Sequence, residues 1–337
     1  MSITIKDIAR EAGMSPATVS LALKNNPAVK DETRRLIHEL AKTMGYVPNP
    51  YAQRLVNGRS GIIGLVVPDI TNMYYAALAE CCDREVAAAG YLLSIAMSQG
   101  SPEREKQAVE RMTADLSEAI LLAPVNVPLK PDADDSYTES SPDPLESVGS
   151  PVIYTSALRR GSQLPYVISD LRGGMRTMTE HVVSSGRRRL LYLTGRRGVP
   201  VLDFREEGFR EAAEGTQYDI IHLSDRSYES VRGYIADNIG SVRGYDAVIS
   251  INDQMAAAVL NALLRAGVRV PQDIAVSGFD GVVSSEMAAV PITTIKQDIV
   301  RIAHEAVRLA VAAISGEQAE HEMVIPTSLI VRESTGK

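Results

Sequence analysis

Cysteine is scarce in this 337-residue chain: Cys81 and Cys82 stand side by side within a helical pattern, and there are no others. Adjacent thiols on one helix do not form a structural disulfide, so buried free thiols in a reducing compartment are expected. No apolar segment opens the chain as an export signal would, and no run is long enough to span a bilayer. A soluble, cytoplasmic protein is expected. The signatures of common enzymes are also missing. No G-x-G-x-x-G, P-loop or G-x-S-x-G occurs in a fitting context, and the five histidines do not cluster with metal-ligand spacing. His38, His181 and His304 fall on helical segments and His222 ends a strand, where packing or surface roles are the default. Catalysis, a cofactor and a bound metal are therefore not expected.

What is present supports real cores, since 45% of the residues are hydrophobic and the length suggests two or more domains. The net charge of −7 is unevenly spread. Residues 1–60 carry nine Lys/Arg against five Asp/Glu, or +4, and the remainder carries 26 against 37, or −11. A basic front on an acidic body suits one polyanion-binding module attached to something else.

The front module begins with Thr4 and Asp7, spaced as a capping pair for a helix in which Ile5, Ile8, Ala9 and Ala12 share a face. Gly13 supplies a turn, Ser15 caps a second helix, and Pro16 occupies its first position, where a missing N–H costs nothing. Two short helices joined by a tight turn describe a helix-turn-helix, although any small three-helix domain would share the pattern. A third helix is predicted from about Asp31 to Met44, with Leu36, Ile37, Leu40, Ala41 and Met44 on its apolar face and Gly45 ending it. Asn49 and Pro50 then open a possible two-turn helix, Tyr51 to about Asn57, too short to be stable alone. It is either an ordinary linker or an apolar wedge, carried by Leu55 beside Ala52 and Val56, of the kind that unstacks a base step from the minor groove.

The segments TIKDIAREAGMS, ATVS, Thr33–Arg34 and GYVPNPYAQRL resemble the headpiece and hinge helix of the lactose-repressor family of bacterial transcription regulators. The resemblance implies base-edge contacts from Pro16, Ala17, Ser20 and Leu21. It implies backbone positioning by Ile5, Lys6, Ser15, Thr18, Lys24, Lys30 and Thr33, and hinge contacts from Asn49, Ala52, Gln53, Leu55 and Val56. Many relatives carry arginine where Leu21 stands. Losing that fork shifts the expectation toward apolar contacts and DNA shape.

From Gly61 the pattern alternates strand and helix, as a doubly wound parallel sheet does. A buried strand GIIGLVVPDI, a helix Tyr74–Ala89, a strand Tyr91–Met97, a helix opened by Ser101–Pro102 and a strand Ala119–Leu122 form a first set. Residues 124–151, rich in Pro, Asp, Ser and Glu, read mostly as a loop, with room for one short helix. A second set is predicted with strands at Val152–Thr155, Tyr166–Ser169, Leu190–Thr194, Asp219–Leu223, Ala247–Ile251 and Ile274–Phe279. The family resemblance returns Thr293–Ile295 and a following helix to the first lobe, and Met323–Ile325 and Leu329–Val331 to the second. The expected fold class is thus an all-α helix-turn-helix headpiece (1–47), a hinge (48–60), and an α/β body of two doubly wound lobes (61–337) that resembles a periplasmic binding protein. Lobe 1 is placed at about 61–158 and 290–320, and lobe 2 at about 159–289 and 321–337.

Ligands of such sheets lie outside the carboxyl ends of the strands. Arg205 in R-x-x-G-F, Asp253 in N-D-x-M-A and Phe279 in G-F-D match family motifs there. A guanidinium fork and a carboxylate suit neighbouring hydroxyls, although Asp253 could equally cap its helix and Arg205 pair with an acid. Asn72, Tyr74 and Tyr75 follow the first strand, and a tyrosine there either stacks on a ligand or packs in the core. Leu171 stands where the family usually has asparagine. Arg196 is placed with the effector residues, and the arginines 159, 160, 172, 196 and 197 together suggest an anionic effector, unless they are solvated surface. The implied partners are pseudo-palindromic double-stranded DNA, a sugar-like effector and a second copy of the chain, with no heptad tail after Arg332 to make a tetramer. A solute-binding protein and a cytoplasmic sugar-processing enzyme are the competing readings. The missing signal peptide and the basic headpiece count against the first, and the missing catalytic motifs against the second.

Overall fold

The computed structural model describes residues 3–46, 60–125, 143–159, 161–317 and 320–336. The chain divides into two units, Met1–Ser60 and Gly61–Lys337.

The first unit holds three helices, α1 (Ile5–Ala12), α2 (Pro16–Leu23) and α3 (Asp31–Thr43). Thr4 and Asp7 form the expected cap: the Thr4 N–H donates to Asp7 Oδ2 at 3.0 Å and its hydroxyl at 2.7 Å. Ser15 Oγ accepts from the Thr18 N–H at 3.1 Å, with Pro16 opening α2. Ile8, Ala9, Val19, Ala22, Val29, Ile37 and Ala41 make the core. Leu36, predicted on the apolar face of α3, is 44% exposed instead, while Ile37 and Ala41 are buried and Leu40 and Met44 pack against the core. The predicted hinge helix lies outside the described residues.

The second unit has two parallel sheets. The first runs β11-β5-β4-β3-β1-β2, from β1 (Ile62–Val67), β2 (Leu92–Met97), β3 (Ala119–Leu122), β4 (Val152–Thr155), β5 (Tyr166–Ser169) and β11 (Glu322–Ile325). The second runs β7-β6-β8-β9, from β6 (Arg189–Thr194), β7 (Gln217–His222), β8 (Ala247–Ser250) and β9 (Ala275–Ser277). An antiparallel pair, β10 (Thr294–Lys296) and β12 (Ser328–Ile330), extends the second sheet through a bridge from Thr293 to Ser277.

This corrects three sequence expectations. Strands Tyr166–Ser169 and Glu322–Ile325 belong to the first lobe, where β5 pairs with β4 and β11 with β5. Thr294–Lys296 belongs to the second lobe. All are short apolar segments with the same period, so their sheet is decided by pairing partner, which periodicity does not encode. The chain therefore changes lobe at Asp170, after Lys296, and after Ile325.

The helices Met73–Ala88 and Ile299–Ser315 cover one face of the first sheet and Pro102–Ala114 the other. Cys81 and Cys82 are buried and free, and burial pushes the Cys82 thiol up to about 12. A buried ion network ties this lobe together. Glu105, 1% exposed, accepts from Arg159 and from the Val125 N–H; Arg159 also donates to Asp143 at 3.0 Å, and Asp143 accepts from the buried Tyr154 hydroxyl. The second lobe centres on Tyr192 stacked against Phe209, ring centroids 4.4 Å apart. Among the described residues no helix is long and apolar enough to cross a membrane.

Ile37→Ala removes the fully buried centre of the headpiece, which costs about 2–5 kcal/mol. Hydrogen exchange is expected to accelerate across residues 5–43 while the protection of the body's strands stays as in the wild type.

Candidate functional site

In the headpiece, Val19 and Ala22 anchor α2 inward, which leaves Pro16, Ala17, Leu21 and Lys24 exposed and Ser20 half-exposed on the opposite side. These residues fall on one stripe of the helix. Leu21, 39% exposed, is an apolar side chain held out toward solvent. Lys6 and Lys30 are exposed, Ile5, Thr18 and Thr33 half-buried, and Ser15 is occupied in capping α2. Asn49, Ala52, Gln53, Leu55 and Val56 lie outside the described residues.

In the body, the carboxyl ends of the strands carry an unusual set of groups. Thr155, Ser169, Ser250 and Ser277 each close a parallel strand, and each buries a hydroxyl with no hydrogen-bond partner in the protein. Buried polar atoms are normally paired, and leaving one unpaired costs about 1–3 kcal/mol. With Thr194, which closes β6 in the same way, five such hydroxyls at strand ends mark the crevice where open α/β sheets take ligands.

Arg205 lies at the centre of this crevice. It sits on the helix Pro200–Ala212, which Pro200 opens. That helix lies so close to Leu171–Ser184 that a Cβ at Gly208 would overlap the carbonyl oxygen of Arg172, which explains the glycine of R-x-x-G-F structurally. The Arg205 guanidinium donates to the Ile251 carbonyl at 2.5 Å and to Asp280 Oδ1 at 3.3 Å, and lies 4.1 Å above the ring of Phe279. Gln297 Nε2 donates to the same Asp280 oxygen at 2.7 Å. Arg205 Nε and Gln297 Oε1 are buried and unpartnered. Asp280 holds a positive φ of 117°, a strained backbone for a non-glycine residue.

Asp253, placed by sequence among the effector residues, is instead completely buried. Its Oδ1 accepts from Thr294 Oγ1 at 2.6 Å and its Oδ2 from the Val282 N–H at 2.9 Å. Asn252 caps the helix, accepting from the Met255 N–H at 2.8 Å. Asp253 thus braces the loop that presents Asp280, and Asp280 is the carboxylate beside Arg205. Phe279 is also fully buried and supports Arg205 from below. From the first lobe, Tyr74 is buried and donates to Ser156 Oγ at 2.8 Å, while Asn72 caps its helix by accepting from the Tyr74 N–H at 3.0 Å. Tyr75 is half-buried and packs edge-on to Tyr74, with centroids 5.3 Å apart. Burial, followed by the charge of Asp280, pushes the Tyr75 phenol up to about 12, so the two lobes share one electrostatic environment here.

The rim arginines mostly have protein partners. Arg159 belongs to the buried network, Arg172 donates to Glu211 at 2.6 Å, and Arg197 donates to His222 Nε2 at 3.3 Å and lies 4.0 Å from Glu206. Arg160 lies outside the described residues, and Arg196 is exposed. Sequence reasoning missed Asp280 and Gln297 as site residues. The signal for Asp280 was its place after Gly278–Phe279; Gln297 offered none. Among the described residues no group of His, Cys, Asp and Glu is arranged to hold a metal.

A helix-turn-helix unit joined to a two-lobed parallel-sheet body defines a ligand-responsive DNA-binding regulator. Residues 4–49 match the family model of bacterial regulatory proteins, lacI family, and residues 179–335 match the periplasmic binding protein-like domain. The ribose operon repressor of Bacillus subtilis (strain 168) is 31% identical over 340 residues, covering 99% of both chains. The chain belongs to the lacI family. The lac repressor dimer bound to operator and the anti-inducer ONPF is similar in fold, with a TM-score of 0.84 at 23% identity over the whole of both chains. The regulator CelR in complex with cellobiose is 27% identical, with a TM-score of 0.69 over 98% of this chain and 99% of that one.

Burial is the main cause raising both acids, with the charge of Asp280 adding to it at Asp253; they reach about 8 for Asp253 and about 6 for Asp280, where Arg205 pulls the other way. Raised carboxyl values stabilise the fold at low pH, in full below about 3.8, and that contribution is lost as pH rises through the folded values. The wild type should therefore lose thermal stability between pH 6 and pH 9. Asp253→Asn, which can keep Thr294 and Val282 as partners, should show a smaller loss over that interval in melting experiments. An equal loss in both proteins would contradict the assignment.

Proposed function

We propose that this chain is a sequence-specific transcription repressor whose hold on its operator is set by a small hydroxyl-rich effector bound between the lobes. The observation that carries this reading is the set of unpartnered buried hydroxyls at the strand ends, gathered around a guanidinium and a carboxylate. Such a crevice supplies paired donors and acceptors suited to neighbouring hydroxyls. The cellobiose bound by CelR supports a sugar-like effector.

On the DNA side, α2 enters a major groove with Pro16, Ala17, Ser20 and Leu21 toward the base edges and Lys6, Lys24 and Lys30 toward phosphates. Three of the four base-facing side chains offer no hydrogen bond. Apolar contact with thymine methyls and DNA shape then carry much of the specificity. The hinge orders on DNA and Leu55 wedges the minor groove. The protein works as a homodimer. Exposed apolar side chains favour this: Leu92, Ile95 and Met97 on the edge strand β2, and Val283 and Met287 in the second lobe, with Met287 78% exposed. Effector binding shifts the lobes, which changes the spacing of the two hinges.

Selection of bound genomic fragments followed by gel shifts tests the reading. Leu55→Ala should lose at least tenfold in affinity for a selected operator while non-specific binding is kept. Operator affinity should fall steeply with salt, by about 0.9 log units per tenfold salt for each phosphate neutralised. A protein indifferent to duplex at low salt, or monomeric by light scattering when operator-bound, would contradict the proposal.

A further inference from the structure

Arg226 precedes Ser227, the N-cap of the helix Tyr228–Asp237, and it is exposed, with no hydrogen bond or ion pair among the described residues. Exposed as the residue is, its guanidinium lies among protein groups. The surrounding protein withdraws enough water to lower its pKa, and its electrostatic neighbours are Tyr75, Arg205 and Asp69 as well as the adjacent Asp225. Tyr75 and Asp69 come from the first lobe and Arg205 from the centre of the second, so Arg226 reaches the space between them.

The fold makes room for it there. Gly195 directly follows β6, and a Cβ at that position would stand 2.9 Å from Arg226 Cδ and 3.2 Å from its Nε. The side chain therefore runs across the carboxyl end of the second sheet, through space that only glycine leaves open. The nearby acids are committed elsewhere. Asp69 Oδ1 accepts from the Thr71 N–H at 2.9 Å, the Thr71 hydroxyl at 2.7 Å and the Asn72 N–H at 2.8 Å. Asp225 accepts from the Ser227 N–H at 2.9 Å and its hydroxyl at 3.0 Å. Asp280 is shared between Arg205 and Gln297. Two guanidinium groups thus face one cleft, and the second has the positive end of a helix behind it. Asp69 and Asp225 keep their charges, so what this cleft offers an anion is a guanidinium whose N–H donors are unspent among the described residues, and not a net positive field.

We propose that Arg226 captures an anionic group on the effector, a carboxylate or a phosphate on a hydroxyl-bearing molecule, while Arg205 and Asp280 read its hydroxyls. This rests on the cleft reading above and adds the ligand's charge to it. It also replaces the rim arginines, whose charges are mostly answered within the protein, as the source of anion preference. A guanidinium can hold either anion through two parallel N–H donors, which neutral hydroxyls do not match.

The test uses the full chain at fixed ionic strength. Calorimetric titrations compare ribose, ribonate and ribose 5-phosphate, and glucose, gluconate and glucose 6-phosphate, in wild type and Arg226→Gln. The expected result is that one charged member binds at least tenfold more tightly than its neutral parent, and that Arg226→Gln removes that preference. The carboxylate and phosphate arms separate the two sources. A parallel melt replaces chloride by inorganic phosphate, which should protect the wild type more than Arg226→Gln. Equal affinity for neutral and charged sugars, equal weakening of both by the substitution (Arg226 then serving lobe closure), or equal phosphate protection in both proteins would overturn the inference. The cleft reading fails separately, if no sugar of either charge alters operator retention in a gel shift.

Discussion

A guanidinium and a carboxylate buried against each other beneath the cleft constrain the body more than any other contact. Removing either partner of such a pair leaves an uncompensated charge and costs about 3–5 kcal/mol. The surrounding structure answers that demand group by group. Phe279 offers a ring face to Arg205, the Ile251 carbonyl takes one of its N–H groups, and Gln297 donates to Asp280 from the strand that leads into the first lobe. Asp253 holds the Asp280 loop through Val282 and Thr294, at the expense of placing a second acid nearby. The strained backbone at Asp280 persists because all of these contacts fix it.

Two atoms are left over from this arrangement, Arg205 Nε and Gln297 Oε1, along with the hydroxyls at the strand ends. A site built in this way is organised before ligand arrives. Little side-chain order has to be imposed by binding, and its polar atoms gain partners they otherwise lack. Because the Gln297 segment is one of three places where the chain changes lobe, what occupies the cleft and how the lobes stand are physically joined.

Much of this was legible from residue order alone. The Thr4–Asp7 cap, the Ser15–Pro16 start and the buried Ile8, Ile37 and Ala41 follow from local rules that act within four residues. The strands themselves were also readable, but not the lobes to which Tyr166–Ser169, Thr294–Lys296 and Glu322–Ile325 belong, since a lobe is chosen by a partner far away in sequence. The site divides in the same way. Arg205 could be read because its motif is local. Asp253 and Asp280 could not be ranked, because only the fold decides which acid faces Arg205 and which is sealed behind Thr294. Arg226 lies in a polar stretch, Ser224–Asp225–Arg226–Ser227, that reads as ordinary solvated surface until Gly195 is seen to lie beneath it.

The Glu105–Arg159–Asp143 network has a practical consequence of its own. Val125 is fastened to Glu105 and Asp143 to Arg159, so both edges of the intervening stretch are tied to the same buried ions. Val125 and Asp143 are thus two rigid mounting points on the lobe that lines the cleft, and a fluorophore attached beside either would turn the regulator into an optical gauge of its own ligand.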